Sequence, residues 1–251
     1  MTSDRTVFPD ISLFTAIGSL PHHNIDSALE YAFHWSIPFL PQIPIRNPKE
    51  FMIYQALDGM PGLELADRGQ VTLDRNRWME TARGLTENLE AVFRSTDPNA
   101  FLAFEPSADS YNCWQPFLWE LQERKVHLAK IQMAGPMTSQ WVLRLQDGTP
   151  ADRYVEIGMQ IFRLVLAKSI AMVRRLRSFN VTPVLFIDEP SFYCFSNRIP
   201  RHLIGLQELK LFIQALQKEK AIVGVHCCSN TDWGAILSLG VDILSIDARL
   251  S

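Results

Sequence analysis

Short apolar runs alternate with longer amphipathic stretches along most of the 251-residue chain. This alternation constrains the fold strongly, because repeated strand–helix units pack as a parallel sheet covered by helices. It predicts seven strands, at residues 13–18, 38–40, 101–104, 128–133, 183–187, 222–225 and 243–246. It predicts helices at residues 25–35, 85–94, 114–124, 153–179, 205–218 and 232–239, with Asp152 and Asp232 as N-caps. No repeat or break in composition divides the chain, so residues 1–251 are predicted to form one α/β domain.

The composition excludes several classes of protein. With 47% hydrophobic residues, 20% charged residues and a net charge of −3, the chain is typical of a globular protein without a nucleic-acid surface. Asp4 and Pro9 interrupt the start of the chain, which predicts no targeting signal, and no stretch approaches the ~20 apolar residues of a membrane span. Four cysteines, two of them adjacent, predict free thiols, so we expect a cytoplasmic protein.

Polar or small residues follow one predicted strand after another. In a parallel β/α barrel the loops after the strands lie on one face, where active sites are built. A polar residue at the end of a single strand means little, but seven successive strands with such residues indicate a shared pocket. The residues concerned are Ser19, Gln42, Glu105, Gly135, Asp188, Glu189, His226, Cys228 and Asp247.

The segment from Val223 to Trp233 brings a histidine and two cysteines to the end of a strand. His226 and Cys228 are two residues apart, so in an extended backbone their side chains leave the same face and can converge on one ion. Imidazole and thiolate are ligands that zinc prefers. The alternative is that Cys227 and Cys228 are small buried residues and His226 is a hydrogen-bonded core histidine.

Two further motifs carry chemistry in the same position relative to a strand. Asp188 and Glu189 follow a buried apolar run, where adjacent carboxylates are costly unless they are paired, hydrogen-bonded or hydrated. We expect them to face the His–Cys centre; alternatively, one caps a helix and the other meets solvent. In the turn from Gly135 to Thr138, glycine would let the backbone approach a ligand, although an ordinary Gly-Pro turn has the same sequence.

Together these motifs resemble the cobalamin-independent methionine synthase superfamily, whose barrel is shared with uroporphyrinogen decarboxylase and corrinoid-linked thiol methyltransferases. The resemblance rests on the order of short motifs along nearly the whole chain: Ile17-Gly18-Ser19, Gly135-Pro136-Met137-Thr138, Ile187-Asp188-Glu189-Pro190, the pair His226 and Cys228, and Asp247. It implies a (β/α)8 TIM-type barrel. The sequence ends at Ser251, soon after the seventh predicted strand, so we expect the last barrel unit to be missing or to come from another segment or subunit.

The resemblance also implies a function: transfer of a methyl group from a folate or corrinoid donor, which a corrinoid protein could carry, to a small homocysteine-like thiol, as in methionine biosynthesis. Zinc would lower the pKa of the thiol and so supply the nucleophile. The implied zinc ligands are His226, Cys228 and Asp247. The implied catalytic carboxylates are Asp188 and Glu189. The implied substrate-binding residues are Ile17, Gly18, Ser19, Gln42, Glu105, Gly135, Thr138 and Asp188.

Three departures from the family pattern leave alternatives open. Asp247 stands where the synthases carry glutamate, Gln42 or Ile43 stands roughly where a glutamate is expected, and the second ligand cysteine has no counterpart. One alternative is a metal-free lyase of the uroporphyrinogen decarboxylase type that uses Asp188 and Glu189. The other is a non-catalytic ligand-binding member of the superfamily. A homo-oligomer is compatible with each of these functions.

Overall fold

The computed structural model describes residues 12–66, 69–247 and 249. The prediction of no targeting signal rests on the start of the chain, which lies outside the described residues. The described strands are Leu63–Leu65 (β1), Val71–Leu73 (β2), Leu128–Ala134 (β3), Arg144–Leu145 (β4), Thr182–Asp188 (β5), Ile222–Cys227 (β6) and Ile243–Ile246 (β7). The described α-helices are Ile25–Phe33 (α1), Met52–Leu57 (α2), Arg75–Arg94 (α3), Trp114–Glu123 (α4), Pro136–Val142 (α5), Val155–Ser178 (α6), Pro200–Lys218 (α7) and Trp233–Leu237 (α8). Short 3-10 helices lie at Pro48–Glu50, Ala100–Phe104, Ala151–Arg153 and Pro190–Cys194.

The main sheet is parallel and has the strand order β3-β5-β6-β7. Two extended segments continue it on the β3 side, because Phe39 bridges Lys130 and Ser19 bridges Gln42, both in parallel. The predicted strands at 128–133, 183–187, 222–225 and 243–246 are therefore confirmed. Those at 13–18 and 38–40 are confirmed only in part, since each contributes a single bridge at or near the predicted residues.

The two faces of the main sheet differ in character. Alternate residues of β3, β5 and β6 pack on the helical side within the large apolar core, among them Ile131, Leu185 and Val223. The opposite face begins with the smaller apolar cluster of Val184, Phe186 and Ile222. Towards the carboxyl ends of the strands this second face becomes polar. We call it the inner face of the sheet.

The helices cover the core side of the sheet. The longest helix, α6, packs against α3, α5 and α7 as well as β3 and β5, and most of its apolar residues are buried. Asp232 is the N-cap of α8, where its side chain accepts a hydrogen bond from Ala235 N at 2.9 Å, as predicted. The N-cap of α6 is Tyr154, so the prediction for Asp152 is wrong; Asp152 lies within a 3-10 helix. None of the described helices is long and apolar enough to cross a bilayer.

The predicted strand at 101–104 is wrong, because Ala100–Phe104 is a 3-10 helix. Phe101 is buried, Leu102 and Ala103 are exposed, and Phe104 is half-buried, which is a period of three rather than the period of two of a strand. Phe101 packs edge-on against Phe93, and the Arg174 guanidinium lies 4.5 Å from its ring centroid. The sequence analysis also missed a small second sheet of order β1-β2-β4.

Candidate functional site

A pocket of about 100 Å³ opens at the carboxyl ends of the inner-face strands. The register of the sheet places Ala134, Asp188, His226 and Ser245 side by side in one row. Three of these residues line the pocket, and they are joined by Lys130, Phe186, Thr15, Ala16 and Ile17. The pocket therefore combines a carboxylate, an amine, an imidazole and hydroxyl groups at the edge of the sheet where parallel α/β proteins bind ligands.

Lys130 is the unusual residue of this pocket. It lies on β3 two rows below Ala134, is 5% exposed, and extends along the inner face between the rings of Phe39 and Phe186. Its Nζ donates a hydrogen bond to Gln132 Oε1 at 3.1 Å. Burial lowers the pKa of Lys130 to about 8, and the charge of Asp188 opposes this shift. At neutral pH the amine is thus much closer to losing its proton than an exposed lysine is.

Asp188 is the carboxylate of the pocket and is half-buried. Burial raises its pKa to about 6, while the positive charge of Lys130 acts in the opposite direction. No direct ion pair joins Asp188 to Lys130 among the described residues, so the two groups interact across the pocket. A carboxyl with a pKa near neutrality can both accept and donate a proton at physiological pH.

His226 completes the polar row. Its Nδ1 lies 3.0 Å from Ser245 Oγ in a hydrogen bond. Burial lowers the pKa of His226, and the charge of Lys130 lowers it further. The ring is therefore neutral at pH 7 and can act as a hydrogen-bond donor or acceptor towards a ligand in the pocket.

The predicted zinc ligands do not form a ligand set as the structure places them. Within residues 12–66, 69–247 and 249, no three His, Cys, Asp or Glu side chains are arranged to hold a metal ion. Cys228 is exposed beyond the end of β6, and Asp247 is ion-paired with Arg249 at 3.1 Å. The neighbouring Cys227 is buried and packs in the apolar core. This agrees, for Cys227, with the alternative interpretation that the cysteines are small buried residues.

Glu189 is placed away from the pocket although it adjoins Asp188 in sequence. Its carboxylate accepts hydrogen bonds from Met137 N at 3.1 Å and Thr138 N at 2.7 Å, at the start of α5. Burial raises the pKa of Glu189 to about 7 against the opposing effect of these hydrogen bonds. The predicted residues Gly135, Thr138 and Glu189 are thus brought together, and they tie the end of β5 to the start of α5.

Replacing Gly135 with alanine tests this arrangement. A Cβ atom at Gly135 would lie 2.0 Å from Glu189 Oε1 and 2.3 Å from its Cδ, and the hydrogen-bonded carboxylate has little freedom to move. We expect a loss of about 1–3 kcal/mol in the free energy of unfolding, measured by urea denaturation. The control is Gly84→Ala in α3, where a Cβ meets nothing within 4 Å and helix propensity favours alanine. Equal stability of the Gly135→Ala variant and the parent would contradict the tight contact.

The remaining predicted residues lie beside the pocket or apart from it. Ser19 Oγ donates to Gln42 Oε1 at 3.3 Å, and Gln42 in turn bonds to Gln55. Gly18 packs against Gln132, since a Cβ there would lie 1.9 Å from its side-chain amide nitrogen. Glu105 does not line the pocket. Its carboxylate accepts a hydrogen bond from Arg175 Nε at 2.6 Å, and the residue lines a separate groove of about 550 Å³.

Comparison with protein family models, with curated proteins and with solved structures gives no match. The family resemblance of the motifs therefore stays a prediction. Of the residues that the sequence analysis selected, the structure brings Ile17, Asp188 and His226 into the pocket. It adds Lys130, Phe186, Ser245 and Thr15, which that analysis missed. A lysine within the apolar run 128–133 was the signal that could have pointed to Lys130.

Proposed function

We propose that this protein is an enzyme that transfers protons on a small carbonyl-containing substrate, the step with which a metal-free lyase can begin. The observation that carries the proposal is the shared pocket of Lys130 and Asp188 on the inner face of the sheet. Buried groups with opposed charges and strongly shifted pKa values are typical of catalytic sites. The cavity of about 100 Å³ fits a molecule of only a few non-hydrogen atoms.

Each polar group has a role in this chemistry. The Asp188 carboxylate takes a proton from the carbon next to the substrate carbonyl and can return it, because its pKa is about 6. Lys130 stabilises the negative charge that develops on the carbonyl oxygen. Neutral His226, held by Ser245, hydrogen-bonds the substrate from the side of β6. Phe186 and Ile17 supply the apolar part of the pocket lining.

We also propose that the sheet belongs to a (β/α)8-type barrel. The supporting observation is that six parallel segments, from the bridge at Ser19 to β7, follow one another in chain order around an inner face. The four cysteines of the described chain are all free, which supports a cytoplasmic protein.

A zinc-dependent methyltransferase is the second candidate. Two observations favour it: His226 and Cys228 both lie at the carboxyl end of β6, and the charge of Asp247 is close enough to act on the pKa of His226. Bound zinc would supply an activated thiolate from the substrate. The side chains as placed would first have to rearrange, since Asp247 is held by Arg249.

One pair of measurements separates the two candidates. The first is the rate at which the protein exchanges the α-protons of pyruvate and dihydroxyacetone for deuterium in D₂O, followed by proton NMR. The second is the zinc content of the parent and of Cys228→Ser, both purified without a histidine tag. Proton transfer predicts exchange above the buffer rate that is equal in the parent and in Cys228→Ser.

The zinc-dependent methyltransferase predicts a different result. We would then expect about one zinc per chain in the parent, loss of this zinc in Cys228→Ser, and no exchange of α-protons in either protein. Exchange at the buffer rate in the parent would contradict the proton-transfer proposal, because pyruvate and dihydroxyacetone present an acidic and a neutral carbonyl compound of the size that the pocket admits.

A further inference from the structure

We propose that the Nζ of Lys130 binds substrate covalently, as an imine with the carbonyl carbon of a small aldehyde, ketone or oxo acid. This inference rests on the proposed function, since it assigns the substrate class and the means by which the pocket withdraws electrons from it. It does not follow from proton transfer alone, because an ammonium group beside the carbonyl oxygen could stabilise the same charge without a covalent bond.

The surroundings of Lys130 Nζ leave an ammonium group short of hydrogen-bond acceptors. An ammonium group has three N–H donors, and the described residues provide a single oxygen acceptor for them, Gln132 Oε1. The rings of Phe39 and Phe186 lie 5.9 and 5.2 Å from Nζ, and Gln132 is itself held by the Leu40 carbonyl. Nζ is thus held by one hydrogen bond beside the pocket that Lys130 lines.

One hydroxyl of the pocket has no hydrogen-bond partner within the part of the chain that the structure describes. Thr15 Oγ1 is buried and has no hydrogen-bond partner among the described residues. Thr15 lines the same pocket as Lys130, Asp188 and His226. A buried hydroxyl without a partner is costly, and a polar group of a ligand would satisfy it. A carbonyl compound with a hydroxyl or carboxylate next to the carbonyl carbon supplies such a group.

The chemical step balances with the amine, the substrate and the groups of the pocket. The lone pair of the neutral amine forms a bond to the carbonyl carbon, and the carbonyl π electrons move to oxygen, which takes a proton. The nitrogen then loses its protons as the C=N bond forms and the oxygen leaves as water, so amine plus carbonyl gives imine plus water without oxidation or reduction. Asp188 is the pocket group that can pass these protons.

The amine needed for this step is present at neutral pH. Since the pKa of Lys130 is about 8, roughly one molecule in ten carries the neutral amine at pH 7. Lysines that form imines are activated by desolvation in this way. Lys168 is as buried as Lys130, but its Nζ donates to two backbone carbonyls, at 2.7 and 3.0 Å. It is a matched internal control, because its amine is buried but does not line the pocket of Asp188.

The test is reductive trapping of the full-length protein. The protein is incubated with pyruvate or with dihydroxyacetone, sodium borohydride is added, and the modified lysine is identified by peptide mass mapping. We expect an irreversible adduct on Lys130 and no modification of the peptide that contains Lys168. Exposed lysines such as Lys218 should be labelled no more than they are in a sample of the protein that was denatured before the incubation. The parent protein alone gives this result, so it does not depend on whether any variant folds.

Two further outcomes separate the imine from the proposed function. In Lys130→Arg, which keeps the positive charge, the adduct should be lost together with α-proton exchange. Exchange in the parent without any adduct on Lys130 would overturn the imine and leave proton transfer standing. Absence of both exchange and adduct in the parent would overturn both proposals.

Discussion

Asparagine in place of Asp188 is expected to lower the rate of α-proton exchange by about 10²–10⁴-fold, the contribution typical of a positioned general base. Asparagine preserves the size of the side chain and one acceptor oxygen but cannot take up a proton at neutral pH. The rate is measured by NMR with pyruvate at saturating concentration. The control is Asp26→Asn, an identical change of charge in the exposed first turn of α1.

The pH dependence of the parent gives a second readout. The carboxylate form of Asp188 is the base, and its pKa is about 6, so the parent rate should increase as the pH rises through 6. The same shift has a consequence for stability. A carboxyl whose pKa is raised by folding binds its proton more tightly in the native state, so stability falls as the pH rises from about 4 to 6. In Asp188→Asn the pH dependence of the rate should disappear, and its persistence would assign it to another group. The fall in stability should become smaller but remain, because the raised pKa of Glu189 acts over an overlapping pH range.

Methionine in place of Lys168 is expected to lower the free energy of unfolding by about 1–3 kcal/mol, the cost of leaving buried hydrogen-bond acceptors without a donor. Lys168 lies on α6, is 3% exposed, and its Nζ donates to Gln55 O and Asp58 O at the end of α2. The change leaves these carbonyls without their donor and removes the cation whose charge lowers the pKa of Asp58. Methionine fills nearly the same volume, so the loss reports the ammonium group rather than a cavity.

Chemical denaturation at pH 7 measures this effect. The matched control is Lys218→Met in the last turn of α7, where the lysine is exposed and the change should stay within about 0.5 kcal/mol. A loss for Lys168→Met no larger than that of the control would show that the carbonyls at the end of α2 find other donors. Lys168 would then no longer serve as the buried control lysine for Lys130, because its hydrogen bonds would not hold it firmly.

The parallel strands could be predicted because their signal is local. β5 and β6 are short apolar runs that end in polar residues, and burial on both faces requires such runs whatever the rest of the chain does. Their register then follows, and it places Asp188 next to His226 as the motifs suggested. The same reasoning failed at 101–104, where apolar residues pack against α6 with a period of three.

The composition of the pocket could be predicted only in part. Lys130 and Gln132 occur in an apolar run, and their exposure to the inner face depends on which side of β3 the helices cover. Glu189 shows the converse: it is adjacent to Asp188, but strand alternation sends it to the opposite side, where the start of α5 supplies two N–H donors. Neighbouring residues in a sequence motif can thus serve different parts of the structure.

The bonds around Glu189 make one rim of the pocket stiff. Gly135 N donates to Asp188 O and Glu189 N donates to His226 O, both at 2.9 Å, so the ends of β3, β5 and β6 are fastened to one another. The opposite rim is formed by Thr15, Ala16 and the exposed Ile17. Hydrogen bonds anchor this segment on both sides, since Ile37 N donates to Phe14 O at 2.9 Å and Gln42 N donates to Gly18 O at 2.8 Å. The width of the pocket is therefore set by this anchored segment as well as by the residues that react.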